Sequence, residues 1–162
     1  MSRISAYNAG TMTVTVSEAL TLNNKDYGST QSFLIPSISN VSRRLVTVTT
    51  TEAVVMTMAA AMGSGQYIAA NVMYMRFTNL DDENFITLTF RNQDNDEVAI
   101  KLDSGQSFVW AGDNSNGMTA VMNATQDADA ASSTNFGSLT NVQADADSDS
   151  CDLEIFVAEK SS

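Results

Sequence analysis

The chain has 162 residues, 8 Lys+Arg against 19 Asp+Glu (formal net charge −11), no His, one Cys, one Pro and one Trp. The length suits one domain, the lack of His excludes Ser-His-Asp and Cys-His systems and His-ligated metals, and one Cys can neither close an intrachain disulfide nor build a Cys-rich zinc site. The acid excess disfavours a nucleic-acid backbone as partner, because phosphates would be repelled.

The first residues, Met1-Ser2-Arg3-Ile4-Ser5, carry no apolar h-region, so no secretory signal is expected, and residues 1–10 are expected to form an N-terminal arm. From residue 11 onward the sequence reads as one β-sandwich domain. Thr11-Met12-Thr13-Val14-Thr15-Val16 alternates hydroxyl and apolar residues, the mark of a half-buried strand. Pro36 interrupts Ser32-Phe33-Leu34-Ile35 and predicts an edge or a strand end. Arg44-Leu45-Val46-Thr47-Val48-Thr49-Thr50 is β-branched and predicts a strand. The longest apolar stretch, Ala53 to Met62, is too short to cross a membrane. Ala and Met would allow a helix there, but Val54 and Val55 favour a strand.

Met73-Tyr74-Met75-Arg76-Phe77-Thr78 and Phe85-Ile86-Thr87-Leu88-Thr89-Phe90 both predict strands, and the polar interval Asn79 to Asn84 is expected to join them as a hairpin. Glu97-Val98-Ala99-Ile100-Lys101-Leu102 follows the turn-like Asn92 to Asp96, and Asp103-Ser104-Gly105 turns into Gln106-Ser107-Phe108-Val109-Trp110. Residues 112–137 are rich in Asn, Ser, Ala and Asp and predict a long loop, unusual inside a compact domain. Asp152-Leu153-Glu154-Ile155-Phe156-Val157 closes the series with Leu153, Ile155 and Val157 on one face. Strands at roughly 8–12-residue spacing with polar turns predict an all-β, antiparallel, jelly-roll-like sandwich of about 8–10 short strands.

Chemistry is sparse. Asp145-Ala146-Asp147-Ser148-Asp149 resembles the opening of a Ca²⁺ loop, but Ser150 stands where Gly is needed and Phe156 where Glu is needed, so a solvated acidic connector is expected. Asp94-Asn95-Asp96 and Asp127-Ala128-Asp129 are weaker still. No GxGxxG, P-loop or GxSxG is present, and Gly63-Ser64-Gly65 reads as a turn. Asn40-Val41-Ser42 and Asn123-Ala124-Thr125 match the glycosylation pattern by accident, given no secretory signal. Trp110, Tyr74, Phe77, Phe85, Phe90 and Phe108 lie in alternating strands and predict core packing rather than a sugar-binding platform. Cys151 and the cluster Met56, Met58, Met62, Met73 and Met75 are expected to fill the core, with a subunit interface as the alternative for the methionines. No catalytic residue, cofactor or metal is assigned.

Charge is uneven: residues 1–81 carry +1 and residues 82–162 carry −12. That polarity suits a near-neutral end docked on a partner and an acidic end facing solvent. Arg3, Arg43 and Arg44 are the docking candidates, as cations that would meet partner carboxylates.

Four segments carry a resemblance. Val72-Met73-Tyr74-Met75-Arg76-Phe77-Thr78-Asn79-Leu80-Asp81 runs into Phe85 to Phe90; later come Ala99-Ile100-Lys101-Leu102-Asp103-Ser104-Gly105-Gln106-Ser107-Phe108 and Cys151 to Val157. Together they resemble small structural proteins of tailed bacteriophages, marine ones especially, over residues 72–158. The resemblance implies a β-sandwich virion component without catalytic residues. Foremost is a capsid decoration (cement) protein on the shell exterior, made in the host bacterial cytoplasm. Its partners would be the major capsid protein and copies of itself, as a homotrimer, with no nucleic acid and no membrane. A tail, fibre or adaptor subunit is the structural alternative, and a carbohydrate-binding module or small glycosidase the third.

Overall fold

A computed structural model describes residues 8–111 and 139–161. Among these the chain is β apart from one 3-10 turn, Ala69–Asn71. The strands are β1 (Gly10–Glu18), β2 (Thr21–Leu22), β3 (Lys25–Asp26), β4 (Ser29–Val48), β5 (Ala53–Met58), β6 (Gln66–Tyr67), β7 (Val72–Asn79), β8 (Ile86–Asn92), β9 (Glu97–Leu102), β10 (Ser107–Ala111), β11 (Leu139–Ala146) and β12 (Cys151–Lys160). Two five-stranded sheets have the orders β1-β4-β12-β7-β10 and β6-β5-β11-β8-β9, antiparallel except for the short β5–β6 pair. The all-β antiparallel sandwich expected from the period-two pattern is the observed architecture.

The main core lies between the sheets. Met75, Phe77, Leu153, Ile155 and Val157 from the first sheet are fully buried with Ile86, Leu88, Phe90 and Val142 from the second. Burying each such side chain contributes about 1.5–3 kcal/mol. Phe90 is the hub, with its ring 5.8 Å from Phe77, 5.5 Å from Phe108 and 5.3 Å from Trp110. Phe77, Phe90, Phe108 and Trp110 thus pack on one another inside the sandwich, whereas Tyr74 lies on the outer side of the first sheet against Phe156 and Phe85 is half-buried beneath Lys101. Of the clustered methionines, Met56, Met73 and Met75 are buried, whereas Met62 is exposed. Cys151 is buried, and burial with the neighbouring carboxylates pushes its thiol pKa up.

The structure corrects several expectations. Asn79 to Asn84 does not close a hairpin, because β7 and β8 belong to opposite sheets. Phe77 and Phe90 meet edge to face across the core, so the two strands stack instead of pairing. The buried Asn79 amide steers the crossing: it donates to Asn84 O at 2.8 Å and Leu102 O at 3.1 Å and accepts from Asp81 N at 3.0 Å. Asp81 Oδ1 then accepts from the Glu83 and Asn84 amides. The true hairpin is β8–β9, where Asn92 Oδ1 accepts from the amides of Asp94 and Asp96.

Pro36 does not end its strand. It sits with Ser37 (φ 65°) in a register break of the β1–β4 ladder, between Ile35 opposite Met12 and Ile38 opposite Gly10, where pairing with β12 also begins. Neither Pro36 nor Ser37 has a ladder partner, so the missing N–H costs no bond. Ala53–Met58 is a strand, as Val54 and Val55 suggested. β11 is a central strand that the alternation did not show, because register shifts at Leu139/Asn141 and Val142/Gln143 break its period. The long loop expected at 112–137 lies outside the described residues.

Candidate docking site

Residues 10–38 form one long hairpin. The β1–β4 register runs unbroken from Met12↔Ile35 to Glu18↔Ser29, and β2–β3 continues it as Thr21↔Asp26 and Leu22↔Lys25. The tip is the two-residue turn Asn23-Asn24, both with positive φ (51° and 60°). This is the I′ geometry that suits a twisted hairpin, and Asn tolerates it better than most residues. Gly28 is needed near the tip: a Cβ there would lie 2.8 Å from Glu18 O.

Because side chains alternate, the hairpin has two unlike faces. One carries Met12, Val14, Val16, Leu20 and Leu22 on the first strand and Ile35, Phe33 and Tyr27 on the second, together with Glu18, Lys25, Ser29 and Gln31, with Lys25 Nζ 5.1 Å from the Tyr27 ring. The other is hydroxyl-rich, with Thr15 bonded to Ser32 at 2.9 Å and Ser17 to Thr30 at 3.0 Å. Only the root of the apolar face is covered. Val14 and Ile35 are buried against Met73, Tyr74 and Ala158, on the side of the first sheet away from the main core. Beyond the root every residue from 15 to 34 is exposed, and Leu20, Leu22 and Tyr27 are each 54% exposed. An amphipathic ribbon therefore runs off the body with its apolar side bare. A lone two-stranded hairpin is marginal in water at best.

At the root lies an open cleft of about 330 Å³ between β1 (Met12, Thr13, Val14, Thr15) and the outer face of the first sheet (Tyr74, Arg76, Phe156). Its floor is apolar, with the Tyr74 and Phe156 rings edge to face at 5.9 Å. Its charged lining residue is Arg76, which is bound in a cluster beside it. Glu154 accepts from Arg43 Nε at 2.7 Å and Nη2 at 2.5 Å, and its other oxygen accepts from Arg76 Nη2 at 2.6 Å. Arg76 is further held by Thr78 Oγ1 at 2.8 Å and lies 5.8 Å from the Phe156 ring. The Arg43 bond, then Arg76, hold the Glu154 carboxyl below the usual range, outweighing burial. Burial pushes the Tyr74 hydroxyl up, offset in part by Arg76.

The docking candidates do not form one patch. Arg43 and Arg44 are neighbours on a strand and point to opposite faces. Arg43 lies on the outer face, its side chain 70% exposed, opposite Phe156 in the β4–β12 ladder. Arg44 turns inward: it donates to Val55 O at 3.1 Å and its guanidinium fills the space beneath Gly65 (φ +69°), where a Cβ would lie 2.6 Å from Nη1. It fastens β4 to the Gly63–Gly65 turn and is not free to dock. Arg3 lies outside the described residues, as do the first seven residues of the expected arm. The described projection is the hairpin instead. It follows that stretch directly, and Gly10 is already paired with Ile38.

The acidic run does not converge. Asp145 is in β11 opposite Thr87, its carboxyl pushed up by burial and by Glu52. Asp149 accepts from the Ser150 amide in the exposed turn. Among the described residues no group of three or more metal-ligating side chains could hold an ion. Asn40 donates to the buried Glu159 at 2.8 Å. Sequence reasoning missed Tyr74 and Phe156 as cleft residues, because three separate strands, β1, β7 and β12, build the cleft. The hairpin had a signal: alternation continues on both sides of Asn23-Asn24. The chain matches no known family model, and no curated protein matches it.

Proposed function

We propose that this protein is a structural subunit of a tailed-bacteriophage particle, acting as a capsid decoration (cement) protein that grips the outer shell. The observation that carries this reading is the hairpin, whose apolar face extends past the body and needs another surface to cover it. The strand orders β4-β12-β7-β10 and β5-β11-β8-β9 support it: we read them as a jelly roll, an architecture shared by viral capsid and lectin domains. The acid excess fits an outer surface better than one facing DNA. A subunit that binds only the assembled shell stabilises it by mass action.

The test is to replace residues 17–30 with Asn-Gly, closing the ribbon on the Val16↔Gln31 pair. All the removed residues are exposed and the root is retained, so stability should change by no more than about 1 kcal/mol. Binding to particles stripped of the protein should be lost. Unchanged binding by the truncated protein would overturn the proposal. Copy number separates head from tail: hundreds per particle fit a decoration protein, a dozen or fewer a tail subunit.

A further inference from the structure

We infer that the N-terminal segment of this chain, residues 1–9, seats on an open edge of β4 and prolongs β1 along it as further antiparallel ladder. β4 is paired unevenly. β1 holds one of its edges from Ser29 to Ile38, and β12 holds the other from Ile38 to Val48. Among the described residues no strand pairs with the β1-side edge from Asn40 to Thr47. Alternate residues of an antiparallel strand aim their N–H and C=O groups to alternate sides, so every second residue of this stretch offers both groups outward. The edge is also flanked by bare apolar side chains: Val41 is 51% and Leu45 62% exposed. Such an edge is a template for another strand.

Chain direction and register name that strand. β1 runs antiparallel to β4 and its ladder stops at Gly10, opposite Ile38, with Asn8 and Ala9 exposed beyond it. The next residues back along the chain therefore start at the head of the open stretch. Ser39 is an extra residue in β4, and β12 crosses it by pairing Lys160 with Ile38 and Glu159 with Asn40. A segment that crosses it in the same way sets Ala9 against Asn40, Ile4 against Leu45 and Ser2 against Thr47. Cross-strand partners share a face, so Ile4 covers Leu45 as an apolar pair, and Ser2 meets Thr47 as a hydroxyl pair. Ala6 falls opposite Arg43 and leaves room for its guanidinium. Arg3 falls opposite Val46 at the sheet edge, where its stem lies on apolar surface and its head reaches water. No Pro or Gly interrupts residues 1–9. Continuity selects the chain's own segment: Gly10 already holds it in place, so pairing proceeds residue by residue without the entropy cost of association. The inference is independent of the role of the hairpin, which lies on the other side of Gly10.

The test is disulfide trapping in the full chain. Opposed residues lie within bridging distance, so Ile4→Cys/Leu45→Cys should close on mild oxidation. Ile4→Cys/Val41→Cys is the control, its second site four residues, or about 14 Å, along the strand. Leu45 and Val41 are exposed, and unchanged melting of the reduced proteins confirms that each folds. Peptide mapping should find the 4–45 bridge within single chains, formed about 10-fold or more faster than the 4–41 bridge. No 4–45 bridge, or equal rates for the two pairs, overturns the inference. A bridge that joins two chains overturns the assignment to the chain's own segment. Hydrogen exchange checks it without cysteines. Deleting residues 1–8 should speed exchange about 10-fold or more at alternate amides between 41 and 47 and leave those bonded to β12 unchanged. Exchange that is unaltered throughout β4 also overturns it.

Discussion

Replacing Glu154 with Gln keeps the shape of a side chain that two arginines grip but removes its charge. The Arg43 arm of the cluster is 70% exposed, so water replaces it readily and it contributes up to about 1 kcal/mol. The Arg76 arm is stronger, because its side chain is 31% exposed, Glu154 only 10%, and Thr78 fixes the guanidinium. A charge-assisted bond of this kind contributes about 1.5–3 kcal/mol, and the amide oxygen of Gln retains part of it. The net loss is about 1–2 kcal/mol, or about 2–8 °C in Tm for a domain of this size. The loss depends on pH with a definite sign. The folded Glu154 pKa lies below its ordinary 4.5, so its contribution is complete above that value and fades as pH falls through the folded pKa. Calorimetry of wild type and Glu154→Gln at pH 7 and near pH 3 should show a clear gap that narrows in acid. Equal Tm values at pH 7, or a gap that persists unchanged in acid, would refute the account of the cluster.

Two further predictions concern buried polar groups. Glu159, buried on the same strand with Oε1 unpartnered, has its pKa raised above 4.5 by burial, against the bonds from Asn40 and Ile68. It therefore favours folding below 4.5 and costs stability as pH rises through the folded value. Glu159→Gln should be neutral or stabilising by up to about 1 kcal/mol at pH 8 and should flatten the loss of Tm between pH 5 and pH 8. Asn79→Ala should cost about 2–4 kcal/mol in urea unfolding, since it strips partners from Asn84 O, Leu102 O and Asp81 N at the crossing between sheets. A loss below about 1 kcal/mol would mean that the loop holds its path without that amide.

Where the sequence kept a strict period of two, the strands were legible. Leu153, Ile155 and Val157 share a buried face as expected, and so do Ile86, Leu88 and Phe90. Where register shifts interrupt the period, as in β11 and at Pro36-Ser37, it failed as a guide. The placement of the candidate residues was half legible. Arg43 does lie on an exposed face, but Arg44, one residue on, is held inside beneath Gly65.

Alternation fixes that a strand has two faces and which side chains share each; it carries no information about what covers a face. That is why composition and period sufficed for an all-β sandwich. They could not place β7 and β8 in different sheets, since pairing edge to edge and stacking face to face bury the same residues. Nor could they show that the apolar face of residues 10–35 is seated at Val14 and Ile35 and bare at Leu20, Leu22 and Tyr27. That difference arises from where the body ends along the ribbon, a matter of contacts between residues far apart in the chain.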